Sequence, residues 1–329
     1  MVHLIHIFQY VSFVFSQFIN AILLYLIYKK TKKCFGPYRY MMAVFSIYAL
    51  IYNYVDLLTQ PLVLVERQMF VVVNHGPLRY WPNAGYVLVC IFGASFGMCI
   101  SLLSAQFFYR YLALCKPNLL VHFEGAKLSM LFIPPLTLSI TWFFFCLLGL
   151  QISPEKRKIL EAPLHDQYDE DSQNVTFVGG LYWKTDQNGV IHWNIQDCIG
   201  TSGLCVLMSL GCMTILFCGV NTYKKMNEAG DTLSDRTKDL NRQLFITLSL
   251  QTLLPFVLMY IPVGLLFALP LFETSIGGIA SFSASSTAIY PAIEPLIAMF
   301  CISTFRKSIL CCFKDGKVSS TAATSTNNF

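Results

Sequence analysis

Seven long apolar stretches dominate the sequence, at residues 7–28, 40–65, 86–114, 128–150, 199–223, 244–269 and 277–302. Each holds 22 residues or more, and about 20 in a helix suffice to cross the hydrocarbon core of a bilayer. Only Asp56, Arg110 and Glu294 interrupt them with an ionisable Asp, Glu, Lys or Arg. Charged residues make up 12% of the chain and hydrophobic residues 55%, whereas soluble domains carry roughly 25% charge. A soluble fold could not hide that much apolar surface, and disorder is excluded on the same grounds. The net charge of +5 is spread over short clusters, which excludes nucleic acid as a partner. No stretch alternates strictly, so the expectation is an all-α membrane protein, a seven-transmembrane helix bundle.

Basic residues set the orientation, because Lys and Arg collect on the cytoplasmic side. One side of the bundle holds Lys29, Lys30, Lys32, Lys33, Arg39, Arg110, Lys116, Lys127, Lys224, Lys225, Arg236, Lys238, Arg242, Arg306, Lys307, Lys314 and Lys317. The other holds only Arg67, Arg79, Lys156, Arg157, Lys158 and Lys184. The N-terminus is therefore outside and the C-terminus cytoplasmic. The first stretch has no basic n-region and reads as a span, not a signal peptide. The sequon Asn174-Val175-Thr176 falls in the long outer loop, where Asn174 can be glycosylated.

The chain reads as one membrane-spanning domain over 1–303 and a cytoplasmic tail over 304–329. The outer loop 151–197 is expected to be a solvated cap. The inner loop 224–242 is expected to extend span five or six as a polar helix. In the tail, Phe305, Ile309 and Phe313 recur every four residues and predict a short amphipathic helix on the inner leaflet. Cys311 and Cys312 beside it are palmitoylation candidates. Most of the twelve cysteines lie in spans or face the cytosol, but Cys90 and Cys198 at outer span ends could form a disulfide. No cysteine or histidine spacing suggests a metal, and no cofactor motif is present. No enzyme signature appears either: there is no nucleophile elbow, phosphate loop or paired intramembrane Asp.

The intramembrane ionisable groups carry the functional expectations. Arg110 ends span three in the run Tyr109-Arg110-Tyr111. A boundary Arg can simply snorkel, or it can pair with a partner's carbonyls when the bundle opens. Glu294 sits in Tyr290-Pro291-Ala292-Ile293-Glu294-Pro295, where two prolines remove backbone donors. That suits either a hinge or a structural polar cluster. Pro255 and Pro262 bend span six, and Pro134-Pro135 interrupts span four. Asp56 lies in span two beside Asn53. Asp56 and Glu294 together leave a second reading open, an ion- or proton-coupled transporter or channel.

Seven spans with an outside N-terminus resemble the G-protein-coupled receptors. Three stretches are similar to the nematode chemoreceptors of serpentine receptor class r, the Str family. They are 105–114, ending in the aromatic-Tyr-Arg-Tyr pattern; 240–262, with Gln243-Leu244-Phe245, Gln251-Thr252 and Tyr260-Ile261-Pro262; and 290–296, followed by Phe305-Arg306. Glu294 stands where that family usually has Asp. The resemblance implies a GPCR-like fold and a chemosensory, olfactory-type receptor in a ciliary plasma membrane. It implies coupling to the C-terminal helix of a Gα subunit through the inner ends of spans three, five and six. Arrestin and a receptor kinase are the partners expected at the tail. The switch set is then Tyr109, Arg110, Tyr111, Pro255, Pro262, Tyr290, Pro291, Glu294 and Pro295. By depth, Phe92, Phe96, Tyr260, Phe267, Phe282 and Ser286 are the expected ligand contacts, facing a small, volatile or apolar molecule.

Overall fold

The computed structural model describes residues 2–30, 36–123, 125–186, 188–228 and 235–309. The elements run α1 (Val2–Lys30), α2 (Tyr38–Thr59), β1 (Leu62–Glu66), β2 (Met69–Val73), α3 (Pro82–Cys115), α4 (Pro117–Leu120), α5 (Ile133–Phe144), α6 (Pro154–Tyr168), β3 (Phe177–Leu181), β4 (Trp183–Thr185), β5 (Ile191–Trp193), α7 (Ile195–Glu228), α8 (Asp235–Pro255), α9 (Ile261–Ala268) and α10 (Ser281–Cys301). Six helical spans are long and apolar enough to cross a bilayer: His3–Lys29, Tyr38–Thr59, Pro82–Cys115, Gly125–Gly149, Ile195–Glu228 and Lys238–Phe272. α10 supplies the seventh. The chain then turns by 94° into a short helix, α11 (Ser303–Ile309).

That turn is the amphipathic tail helix expected from the repeat of Phe305 and Ile309. Its apolar face packs against the inner core rather than lying free on the leaflet: Phe305 is fully buried and Ile309 joins the same cluster. Cys311, Cys312 and Phe313 lie outside the described residues.

Span two ends earlier than its hydropathy implies. α2 stops at Thr59, where Gln60 adopts a left-handed conformation with φ 42°. The run Leu62-Val63-Leu64-Val65 is strand β1, not helix. It pairs antiparallel with β2 across a tight hairpin, and β2 pairs antiparallel with β3 from the outer loop between spans four and five. The chain is a helix bundle, as expected, and it adds a three-stranded sheet on the outer side, in the order β1-β2-β3.

The sheet is covered on both faces, which is why its strands read as continuous apolar runs. Leu62, Leu64, Met69, Val71, Val73, Phe177 and Leu181 pack with Leu160, Leu164 and Tyr168 of α6. The alternate residues Val63, Val65, Phe70 and Val178 join the core of the bundle. So the outer loop is not merely a solvated cap: part of it is a lid, one face of which belongs to the transmembrane core. The Ser281 hydroxyl at the start of α10 holds the lid's edge, accepting from Val63 N at 3.1 Å and donating to Val63 O at 2.9 Å.

One buried ion pair pins the lid. Lys156 Nζ of α6 lies 2.7 Å from Asp197 Oδ2 in the first turn of α7. The same ammonium donates to the carbonyls of Gln151 at 2.6 Å and Gly179 at 2.8 Å. Asp197 Oδ2 also accepts from Leu181 N of β3 at 2.8 Å. The helix N-terminus favours the carboxylate there. Burial pulls the Lys156 ammonium below its usual range, and the Asp197 contact opposes that pull. Beside the lid, His6 Nε2 meets His75 Nδ1 at 3.0 Å, and His75 Nε2 lies 3.1 Å from Glu170 Oε1. Burial, then the Arg79 charge, pushes His75 down to about 4, so a neutral imidazole links α1 to the loop after α6.

The outer cysteines are not bridged: Cys90 and Cys198 are both free thiols. Cys90 is buried within the bundle core, whereas Cys198 points its thiol at the carbonyl of Tyr182, 3.6 Å away.

Replacing Lys156 with Met should strand a buried carboxylate and destabilise the lid by about 3–5 kcal/mol. Adding Asp197→Asn should recover much of that loss. Hydrogen exchange of the backbone amides in 177–181 reads it: rapid exchange in the single variant and restored protection in the double are expected.

Candidate functional site

Two sites stand at opposite ends of the bundle. The outer one is an apolar cavity of about 90 Å³ beneath the sheet. Val63, Phe70, Val72 and Val178 form its roof, Phe92, Phe96 and Trp142 line spans three and four, and Val263 and Phe267 line span six. Thr287 from α10 supplies the one hydroxyl in the lining. The sheet is what places the roof: in a strand alternate side chains share a face, so β1, β2 and β3 each lend it one or two. A side chain on Gly97 would collide with the Trp142 ring, so its absence lets spans three and four close behind the cavity.

Of the residues expected to contact a ligand, Phe92, Phe96 and Phe267 line this cavity. Tyr260 lies under it, edge-on to Phe96 with ring centroids 5.0 Å apart. Ser286 is not among the lining residues. Its hydroxyl donates to the carbonyl of Leu258 at 2.6 Å. That carbonyl lies four residues before Pro262, which has no N–H to reach it. The side chain of Phe282 lies outside the described residues. The roof residues and Trp142 escaped the sequence reading; the short β-branched run 69–73, bounded by Arg67-Gln68 and Asn74-His75-Gly76, is the signal that could have found the roof.

Between the sites, polar groups compensate the prolines. Pro295 cannot donate to the carbonyl of Pro291, and Asn20 Nδ2 of α1 donates to it instead at 2.8 Å. Ser46 of α2 donates to Asn20 Oδ1 at 2.9 Å, and Asn53 donates to Ser16 at 2.5 Å. Pro255 is followed by a wide π-helical turn, Phe256–Tyr260, before α9. One turn inward, Gln251 donates to a carboxylate oxygen of Glu294, joining span six to span seven. Tyr290 and Glu294 are both buried.

The two intramembrane carboxyls are not brought together. Asp56 is three residues from the outer end of α2, and Glu294 is thirteen residues down α10 from its outer end. At 1.5 Å per residue they differ in depth by about 15 Å. Among the described residues, no group of three His, Cys, Asp or Glu side chains is placed to hold a metal.

The inner site is built on Arg110, which is 5% exposed. Its guanidinium sits 4.1 Å from the centroid of the Tyr38 ring at the start of α2. Nη1 donates to Asn241 Oδ1 of span six at 3.4 Å. Tyr38 in turn stacks on Tyr109 at 5.8 Å and donates to Gln106 Oε1 at 3.4 Å. Tyr111 points away, towards Phe217 of span five at 5.8 Å. Arg110 Nε and Nη2 are buried with no hydrogen-bond partner. A desolvated guanidinium held by an aromatic face and one amide is clasped, but it keeps donors in reserve.

The profile of the serpentine type 7TM GPCR chemoreceptor Str family matches residues 5–310. The chain belongs to that family. Serpentine receptor class r-10 of Caenorhabditis elegans is 31% identical over 316 residues, covering 94% of this chain and 91% of the relative. Serpentine receptor class r-10 of Caenorhabditis briggsae is 28% identical over 325 residues, covering 97% and 94%. Squid rhodopsin superposes with a TM-score of 0.62 over 95% of this chain and 85% of its own, at 14% identity, a likeness of fold alone. The family consists of membrane-spanning receptors, not enzymes.

The Tyr38 ring carries a testable share of the inner clasp. Tyr38→Leu should lower the melting temperature of the purified receptor, losing about 1–2 kcal/mol of desolvated cation–π attraction. Tyr38→Phe, which keeps the ring, should lose much less.

Proposed function

We propose that this chain is a chemosensory receptor of the plasma membrane that binds a compact apolar molecule in the outer cavity and activates a heterotrimeric G protein. The observation that carries this reading is the apolar cavity roofed by β1, β2 and β3. An apolar cavity of about 150 Å³ accepts benzene, so 90 Å³ suits a molecule of only a few heavy atoms. The smallest volatile molecules are of that class. Lining of this kind selects by shape and apolar contact, with Thr287 as the one hydroxyl to orient a polar atom.

Ligand in the cavity would press on Phe96 and, through its ring, on Tyr260 in the π-helical turn of span six. Span six would tilt about Pro255 and Pro262, the bond of Gln251 to Glu294 would rearrange, and Arg110 would leave Tyr38 and Asn241 to meet the Gα C-terminal helix. The ligand must prefer the open state for that population to grow. The ciliary membrane of a chemosensory neuron is the proposed location, with Asn174 glycosylated outside and Cys311 and Cys312 palmitoylated inside. Arrestin and a receptor kinase are the proposed partners of the tail.

The test is a calcium or cAMP response to a panel of small apolar volatiles in cells co-expressing a nematode Gα. Wild type should answer at least one compound. Val263→Phe, which fills the cavity, should raise the half-effective concentration about tenfold or more at equal surface level. Arg110→Ala should abolish the response at equal surface level. A response untouched by Val263→Phe would remove the cavity from the reading, and one untouched by Arg110→Ala would remove the coupling residue.

A further inference from the structure

The hairpin β4–β5 has two unlike faces. Trp183 pairs with Trp193 and Thr185 with Ile191, while Lys184 pairs with His192. Strand alternation puts the Trp–Trp and Thr–Ile pairs on one face and the Lys–His pair on the other. The polar face is engaged: Lys184 Nζ lies 2.6 Å from Glu155 Oε1 of α6. The apolar face is covered only at Trp183, which is buried in the bundle core, and its outer part is open. Trp193 is 59% exposed, and Val190 and Ile191 are exposed beside it.

That face is continuous with the membrane-facing side of span five. The chain passes from Trp193 directly into α7, whose Ile195, Ile199, Val206, Leu210 and Met213 are all exposed. Trp193 shares a groove with Ile195, Ile199, Gly203 and Phe145 of span four. The indole thus stands at the outer mouth of a groove whose walls face lipid. An amphipathic Trp at the end of an apolar belt is suited to the boundary between headgroups and acyl chains.

We propose that the β4–β5 hairpin is a membrane-interface anchor, with Ile191 and Trp193 seated in the outer leaflet and Lys184 and His192 facing away from it. The partner is the phospholipid surface itself. The anchor reaches the cavity through a file of rings. Trp193 meets Trp183 at 5.0 Å, Trp183 meets Tyr182 at 6.4 Å, Tyr182 meets Phe70 at 6.1 Å, and Phe70 meets Phe267 at 4.9 Å. Tyr182 also donates to the carbonyl of Phe267 at 2.7 Å. The hairpin therefore ties the roof of the cavity to the bilayer.

The test uses the full chain in phosphatidylcholine nanodiscs, with a Trp81→Phe background to silence the other exposed indole. The Trp193 signal is the emission lost in Trp193→Phe. Acyl chains brominated near the headgroup should quench that signal about twofold, while aqueous acrylamide should quench it weakly. In the Trp193→Phe chain, Ile191→Trp should restore lipid quenching and His192→Trp should not. Acrylamide quenching of Trp193 without lipid quenching would overturn the proposal. So would equal lipid quenching at positions 191 and 192.

Discussion

Hydrocarbon offers no hydrogen bonds, so a backbone group left unpaired inside the bundle is costly unless the protein supplies its partner. The prolines make that constraint acute, because each removes a donor and strands a carbonyl. The chain answers with side chains from neighbouring spans. Asn20 of α1 reaches the carbonyl of Pro291, and Ser286 of α10 reaches that of Leu258. Ser46 then holds Asn20 from α2. These bonds cross between spans one, two, six and seven. The residues that weaken helices six and seven are thus the same ones that lock them into the bundle. A span weakened locally and held by a few bonds is one that can bend at those places.

Outside the hydrocarbon the rule changes, and strands become possible. The sheet β1-β2-β3 sits where its outer face can be covered by α6 and its inner face by the bundle. Two outer loops are thereby fused into one lid, fastened by Lys156 and Asp197. Its inner face and the outer halves of spans three, four, six and seven enclose the cavity. Span six is then engaged at three depths: by Phe96 against Tyr260, by Glu294 against Gln251, and by Arg110 against Asn241. A displacement at the cavity and a release at the inner face thus act on one helix.

Much of this was legible in the sequence. Hydropathy locates seven spans, and the family's motifs fall where span three ends and where spans six and seven are interrupted by proline. What failed did so for physical reasons. Leu62-Val63-Leu64-Val65 reads as the end of a helix because a strand buried on both faces shows no alternation. Cys90 and Cys198 are close in predicted depth, but depth says nothing of facing. Tyr38 gave no signal at all: its role arises from Arg110, 72 positions along the chain, and only the packing of α2 on α3 brings them together.

On the proposed mechanism, Arg110, clasped by Tyr38 and Asn241, holds the inner ends of spans three and six together in the resting receptor. The most direct measurement is the distance between spin labels carried on non-native amino acids at positions 116 and 239, in nanodiscs and without ligand or G protein. In the wild-type chain a single short distance is expected. Arg110→Gln should broaden and lengthen it, and a bound Gα subunit should lengthen it in wild type. A distance unchanged by Arg110→Gln would show that the inner face is closed by something other than this clasp.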